Sequence, residues 1–127
     1  MNDEGDLMDE PILASVITAP APNAGAVAQN EPHNIVLVEP TLRRRSELVL
    51  DVALAHSVKH LVLGAWGCGV FRNNPETVAR TFAEFLRTDG KFSNVFRSVV
   101  FAVYDRTSGE GTFRAFAETF QADVLAE

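Results

Sequence analysis

The chain has 127 residues, of which 46% are hydrophobic, and its 17 acidic and 11 basic side chains give a net charge of −6. This length suits one domain, and the acidic balance argues against general nucleic-acid binding, which requires a basic surface. No apolar run approaches the roughly 18 residues of a membrane helix, and the acidic start lacks the pattern of a secretory signal, so we expect no membrane partner and a cytoplasmic location.

The N-terminal region is expected to contribute little to the core. Residues 1–12 are acidic and lack an apolar period, and we interpret them as a mobile segment ahead of a domain that spans residues 13–127. One short buried strand is predicted near residues 14–19. Two prolines then fix a stiff turn, after which Asn23 is placed to hydrogen-bond with nearby backbone.

Beyond residue 34, helices alternate with apolar strands. In chain order the sequence predicts a helix over 40–57, a strand over 59–65, a helix over 76–88, a strand over 98–104 and a helix over 111–121. The strand over 59–65 is a nearly continuous apolar run, which is typical of burial on both faces. The alternation predicts an α/β fold with parallel pairing and three strands in total. A sheet that narrow is expected to leave an edge and some apolar helix surface exposed.

The central strand ends at a loop with three glycines, in the segment LVLGAWGCGVFRNNP. Gly64, Gly67 and Gly69 allow a sharp turn and leave backbone N–H groups open to an anion. A helix that begins near Pro75 would add the positive end of its dipole. The G-x-x-G-x-G spacing matches neither the Rossmann nor the Walker phosphate loop. A phosphate cradle and a tight strand-to-helix turn therefore both remain open.

Several side chains in this loop admit a functional and a structural interpretation. Trp66 and Phe71 either stack on a sugar or base or fill the core below the loop. Cys68 is either a nucleophile with a lowered pKa or a small side chain packed under the loop, and it has no evident base. As the single cysteine, it also excludes an intramolecular disulfide. No metal site is expected, because no ligand spacing is formed between Cys68 and the histidines at positions 33, 56 and 60.

Charged side chains near the predicted helix ends have ordinary explanations. Arg43, Arg44 and Arg45 stand at a helix start, where they either contact phosphate or lie in solvent, and Arg45 is the best phosphate candidate of the three. Glu76 is explained by the dipole of the helix that it begins, and His56 by the last carbonyls of the helix that it ends.

The loop and its neighbours resemble a known family. The string Gly-Ala-Trp-Gly-Cys-Gly-Val-Phe, with residues 15–23, 45–55 and 99–103 in the same order, resembles the microbial-type poly(ADP-ribose) glycohydrolases, which are macrodomain proteins. The resemblance implies a partial macrodomain-like α/β/α fold of three layers with a mostly parallel sheet. It implies ADP-ribose or the terminus of poly(ADP-ribose) as the ligand, and we expect no cofactor. The implied diphosphate and ribose contacts are Gly64, Ala65, Trp66, Gly67, Cys68, Gly69, Val70 and Phe71, with Asn23 at the border of the ribose site.

One departure from the family bears on catalysis. Family members carry a Gly-Gly-Gly run and then Gln-Glu-Glu upstream of the segment that ends at Asn23, and this sequence has neither. We therefore expect a truncated, C-terminal part of the module, with no catalytic residue, that binds ADP-ribose and by itself hydrolyses nothing. The alternatives are a split half that needs a partner chain with the catalytic glutamate, a decayed fragment with a structural role, and an unrelated α/β phosphate-binding protein. A complementing chain, or self-association through an exposed sheet edge, is expected.

Overall fold

The computed structural model describes residues 6, 9–106 and 108–120. The helices and strands in chain order are α1 (Ala24–Asn30), a 3₁₀ helix (Pro32–Leu37), α2 (Val38–Ala55), β1 (His60–Gly64), α3 (Pro75–Leu86), β2 (Ser98–Ala102) and α4 (Gly111–Phe120). The two strands pair in parallel, with Leu61 opposite Val99. The predicted α/β class and parallel pairing are thus confirmed. The mobile segment predicted over 1–12 lies mostly outside the described residues, as does the predicted last residue of α4.

Local sequence signals determine where α3 begins. The Asn74 side chain caps the helix, because its oxygen accepts a hydrogen bond from the backbone N–H of Thr77 at 2.9 Å. Pro75 takes the first helical position, where no N–H is needed, and Glu76 lies in the first turn beside the positive end of the dipole. The helix connects the two parallel strands and directly follows the glycine-containing loop, so its N-terminus is fixed beside that loop.

The hydrophobic core lies against one face of the sheet. The ring of Phe101 on β2 contacts Phe82 of α3 and Phe116 of α4, with centroid distances of 5.7 and 5.2 Å. The buried cluster draws on α2, β1, α3, α4 and the α3–β2 connection, and its members are Leu42, Leu50, Ala53, Leu61, Val78, Ala79, Phe82, Phe85, Phe92 and Phe116.

The opposite face of the sheet is exposed. Val62 and Val100 are register partners on that face and are 75% and 55% exposed. The prediction that this strand is buried on both faces is therefore wrong, because no described segment covers the outer face. The expectation of exposed apolar helix surface is confirmed on α2, where Leu48 is 61% exposed.

The strand predicted near residues 14–19 is wrong, and the sheet has two strands among the described residues rather than three. The segment has no regular secondary structure and lies near β1, since Ile17 and Val62 line the same cavity. No ladder of backbone hydrogen bonds joins it to β1. Val16 is 85% exposed, so the apolar composition of the segment reflects neither pairing nor burial within the described chain.

Two helical segments, α1 and the 3₁₀ helix, were not predicted from the sequence, and the other boundaries differ by small amounts. Helix α2 begins at Val38, two residues before the predicted start, because it continues directly from the 3₁₀ helix, whose Ile35 carbonyl accepts from the Val38 N–H, and Pro40 is tolerated in a first turn. Helix α3 ends at Leu86 and strand β2 at Ala102, each two residues before its predicted end.

Within the described residues, no helix combines the length and the hydropathy that crossing a bilayer requires.

Candidate functional site

The segment from Gly64 to Phe71, here called the glycine loop, leaves the end of β1 and turns back on itself. Short-range backbone bonds shape it: the N–H of Trp66 donates to the Gly64 carbonyl at 2.8 Å, and that of Cys68 to the Ala65 carbonyl at 3.0 Å. The next residues close the turn, since the N–H groups of Arg72 and Asn73 donate to the Gly69 and Gly67 carbonyls at 3.0 Å. The loop is therefore a defined structure.

Three backbone N–H groups of the glycine loop are unused as hydrogen-bond donors within the described chain. Within the described chain, the backbone N–H groups of Gly69, Val70 and Phe71 have no hydrogen-bond acceptor. The space beside Gly69 is open, because a Cβ built there would meet nothing within 4 Å, and Val70 is 90% exposed. Three successive free N–H groups that precede a 12-residue helix by a few residues form a suitable cradle for an anion.

Gly67 is required by the shape of the loop. Its backbone is left-handed, with φ of +75°, which side-chain-bearing residues adopt only at a cost. A Cβ at this position would lie 2.3 Å from the Asn73 side-chain nitrogen and 2.7 Å from Ala21 Cβ. The two glycines therefore differ in role: Gly67 lets the chain pack closely, and Gly69 leaves space open.

The segment from Ala19 to Asn23, here called the strap, is fastened beside the glycine loop by three side-chain donors. Trp66 Nε1 donates to the Ala19 carbonyl at 3.1 Å, and Arg45 Nη1 donates to the Pro20 carbonyl at 3.0 Å. The Asn73 Nδ2 group donates to the Pro22 carbonyl at 2.8 Å. A cleft of about 240 Å³ lies beside the start of the loop and is lined by Ala19 of the strap and by Gly64, Ala65 and Trp66 of the loop.

Asn23 ends the strap and begins α1. Its side-chain oxygen accepts a hydrogen bond from the Ala26 N–H at 2.9 Å, which confirms the predicted bond to nearby backbone. The N–H of Gly25 donates to the Phe71 carbonyl at 3.0 Å. The first turn of α1, which Asn23 caps, is thus joined to the end of the glycine loop.

The two aromatic residues of the loop are placed differently. The half-buried Trp66 packs against the core, 6.5 Å from the ring of Phe82 and tilted to it, and its indole N–H holds the strap. This geometry favours the core-filling alternative for Trp66. Phe71 is half-buried and its ring takes part in no aromatic pair among the described residues.

The surroundings of Cys68 disfavour the thiolate form that a nucleophilic cysteine requires. Burial raises the pKa of its thiol from 9.0 to about 11, so the thiol is neutral at physiological pH. The hypothesis of a lowered pKa is therefore wrong, and the side chain packs against the core.

Exposed His56 caps the end of α2, and exposed His60 lies 2.7 Å from the Ser98 hydroxyl. No group of three potential metal ligands occurs within the described residues.

The arginine run contributes one residue to the site. Arg43 pairs with Glu84 and lies over the Phe85 ring at 4.7 Å, and Arg44 is exposed. Arg45 alone reaches the strap, where it holds a carbonyl. Glu76 lies in the first turn of α3, where the helix dipole accounts for it. The sequence-based selection missed Asn73, a buried residue directly before the helix cap that contacts both strap and loop.

Comparison with solved structures connects this geometry to relatives. The poly(ADP-ribose) glycohydrolase of Deinococcus radiodurans in complex with ADP-ribose is 50% identical, with a TM-score of 0.89, over 95% of this chain and 48% of that one. Its apo form matches with 49% identity and a TM-score of 0.88, over 98% and 50%. The enzyme of Thermomonospora curvata matches with 43% identity and a TM-score of 0.84, over 94% and 43%. No protein-family model and no curated protein sequence matches the chain.

The chain spans about half the length of the solved relatives it matches. Over that half, the identity of 43–50% confirms the resemblance to the microbial-type poly(ADP-ribose) glycohydrolases, and the superposition confirms a partial macrodomain-like α/β fold.

Proposed function

We propose that this chain, whose sequence and fold match part of a microbial-type poly(ADP-ribose) glycohydrolase, binds ADP-ribose through the glycine loop. The observation that carries the proposal is the set of three successive free N–H groups at Gly69, Val70 and Phe71, beside open space. A diphosphate takes hydrogen bonds from such groups and gains from the nearby N-terminus of α3. Solved relatives that share this fold hold ADP-ribose.

Each loop residue receives a role in this proposal. Gly69 admits the diphosphate, the N–H groups of Val70 and Phe71 bind it, and the Phe71 ring rests on the distal ribose. Gly64 and Ala65 line the cleft, and Gly67, Trp66 and Cys68 support the loop from the core side, the last two by packing against the hydrophobic cluster. Asn23 borders the ribose, since its helix begins beside the Phe71 carbonyl.

The acidic net charge of −6 is compatible with an anionic ligand. Backbone N–H groups are neutral donors whose attraction for phosphate is local, and repulsion from acidic side chains elsewhere on the surface is screened beyond about 10 Å at ordinary ionic strength. The ligand class is therefore a nucleotide-like diphosphate rather than a polynucleotide, which would require an extended basic surface.

We propose that the chain does not hydrolyse poly(ADP-ribose) by itself. Cleavage of the ribose–ribose bond needs a carboxylic acid that protonates the leaving oxygen while an oxocarbenium-like state forms. The family's Gly-Gly-Gly and Gln-Glu-Glu signature is not in this sequence. The nearest acidic candidate by position, Glu76, serves the first turn of α3. Release of ADP-ribose from the polymer by the isolated chain would contradict this proposal.

Calorimetric titration with ADP-ribose tests the binding proposal. Gly69→Val fills the open space and is expected to weaken binding by about tenfold or more, which corresponds to roughly 1.4 kcal/mol. Phe71→Ala removes a stacking surface and is expected to cost about fivefold, or roughly 1 kcal/mol. Gly111→Val is the matched control, because a Cβ at Gly111 also meets nothing within 4 Å but stands at the start of α4.

Two results would count against the binding proposal. A folded chain that releases no heat with ADP-ribose would refute it. Equal affinity for ADP-ribose and AMP would instead favour an unrelated phosphate-binding protein, because the distal ribose would then contribute nothing.

We also propose that a complementing polypeptide completes the domain. The specific observation is an open apolar face formed by Ile17, Leu48, Val52, Val62 and Val100. It is continuous, because Ile17 lines one cavity with Val62 and another with Leu48 and Val52, and Val62 is the register partner of Val100. Parallel sheets are normally covered on both faces. The relatives are about twice as long as this chain, and the occupant we propose is a polypeptide equivalent to the half of them that it does not match.

This second proposal is tested with the unmatched half of the Deinococcus radiodurans enzyme, produced separately and mixed with the full chain. Sedimentation is expected to show a one-to-one complex that Val62→Asp weakens by about tenfold or more. Val36→Asp is the control, because Val36 is similarly exposed, at 72%, but lines a different groove with Arg43 and Glu84. A chain that pairs with itself through Val62 instead, or a complex indifferent to Val62→Asp, would overturn the proposal.

The cytoplasm is the compartment we propose, on the basis of a sequence whose single cysteine cannot form an internal disulfide. Fractionation of cells that express the tagged chain tests this assignment, and recovery outside the cytoplasmic fraction would contradict it.

A further inference from the structure

Asn73 is the one side chain that donates hydrogen bonds to both the strap and the glycine loop among the described residues. It is 4% exposed, and its Nδ2 group donates to the Pro22 carbonyl at 2.8 Å and to the Gly67 carbonyl at 3.1 Å. Its backbone N–H donates to the same Gly67 carbonyl at 3.0 Å. The Gly67 carbonyl is thus occupied twice, by two groups of one residue.

The occupation of the Gly67 carbonyl bears on the free donors of the loop. In a polypeptide turn, a carbonyl accepts from the N–H three or four residues later, which here belongs to Val70 or Phe71. In this structure those two N–H groups are free, and the carbonyl that local geometry offers them is taken by Asn73. Without the amide, the loop has an unfilled acceptor beside two unfilled donors, and tightening into an ordinary turn would satisfy them.

The Asn73 side chain also carries an unfavourable feature. Its Oδ1 atom is buried and has no hydrogen-bond partner. A buried acceptor without a donor destabilises a fold, and an apolar side chain of similar size removes that defect. Stability alone therefore gives a weak account of an asparagine here, whereas its two donors give a geometric one.

We propose that Asn73 is a positioning residue that keeps the N–H groups of Val70 and Phe71 available to a diphosphate and holds the strap against the glycine loop. This inference rests on the proposed ADP-ribose function. Asn73 acts by occupying the Gly67 carbonyl, so that the loop stays open in the absence of ligand.

The neighbouring Asn74 supplies a matched control. Its side chain caps α3 by accepting from the Thr77 N–H at 2.9 Å, and within the described residues it makes no hydrogen bond to the strap or the glycine loop. Asn74→Ala therefore destabilises the helix start without releasing the Gly67 carbonyl. Asn73→Leu is the test variant, because leucine has a similar volume, lacks both donors and removes the unpaired oxygen.

Calorimetry on the full chain, at a temperature where circular dichroism shows every variant folded, compares ADP-ribose affinities. Asn73→Leu is expected to bind about tenfold more weakly or worse, and Asn74→Ala within about twofold of the natural chain. A purely structural role would instead make the affinity of each variant follow its melting temperature. Asn73→Leu binding as tightly as the natural chain would overturn the proposal.

A second measurement needs no ligand and separates this inference from the proposed function. Amide hydrogen exchange by NMR is expected to be fast at Val70 and Phe71 in the natural chain, and slower by about tenfold at one of them in Asn73→Leu, because the released carbonyl then accepts from it. Unchanged exchange would refute the role of Asn73 even if ADP-ribose binds. Failure of the natural chain to bind would refute the proposed function, while the exchange result would still decide the role of Asn73.

Discussion

Gly67→Ala adds only a methyl group, yet we expect it to lower the free energy of unfolding strongly. The added Cβ would lie 2.3 Å from the Asn73 side-chain nitrogen and 2.7 Å from Ala21 Cβ, both buried residues. The left-handed backbone, with φ of +75°, adds a cost of roughly 1–2 kcal/mol for alanine. Displacement of Asn73 breaks its bonds to two carbonyls, at about 1 kcal/mol each and more where a buried group is left unpaired.

These contributions predict a loss of about 3–5 kcal/mol in the free energy of unfolding, a large share of the roughly 5–15 kcal/mol of a typical domain. Urea denaturation measures it, with the fluorescence of Trp66, the single tryptophan and a loop residue, as the probe. Gly69→Ala is the control, since its Cβ meets nothing within 4 Å. If the free energies of unfolding of Gly67→Ala and Gly69→Ala lie within about 1 kcal/mol of each other, the assignment of distinct roles to the two glycines is wrong.

Three further changes test other parts of the structure. Because burial raises the pKa of Cys68 in the folded chain to about 11 from the ordinary 9.0, the contribution of the thiol to stability is complete below pH 9 and is lost as the pH rises through 11. The urea midpoint of the natural chain should therefore fall more over that interval than the midpoint of Cys68→Ala. Parallel profiles of the two proteins would contradict the burial of the thiol. Phe82→Ala, at a position 2% exposed, should cost about 3–5 kcal/mol in the same assay, and a loss below about 1 kcal/mol would refute its place in the core. Arg45→Ala removes a partly solvated bond to Pro20, so ADP-ribose affinity should fall by less than about fivefold, and a loss as large as that expected for Asn73→Leu would show that Arg45 contacts the ligand.

The elements that could be predicted from the sequence are those with local signals. Helix α3 begins at an asparagine cap followed by proline and carries an apolar stripe, and both features act within a few residues. The paired strands are short apolar runs, each preceded by polar residues. The unpredicted helix α1 lacks such a stripe, and it is fixed by a long-range bond from the Gly25 N–H to Phe71. A single sequence carries no signal for that contact.

Burial and site geometry could be predicted only in part, because both depend on contacts between residues that are distant in sequence. An apolar run such as that of β1 looks alike whether one face is covered or two, and Val62 is exposed because its neighbours in space, not in sequence, decide its burial. The glycine spacing located the loop. It could not distinguish Gly67, packed against Asn73, from Gly69, which faces open space. Asn73 itself went unselected because a lone asparagine before a helix cap has no motif.

The parallel register of β1 and β2 has a consequence for how the chain is made. The partner of His60 is Ser98, so β1 emerges during synthesis with no strand to pair with until roughly 40 further residues have been added. At about 5–20 residues per second, this delay is on the order of 2–8 s. Throughout it, the apolar side chains of β1 and α3 are available to other molecules on the ribosome, including chaperones. The hydrophobic core is therefore completed late, after Phe101 of β2 has reached Phe82 of α3.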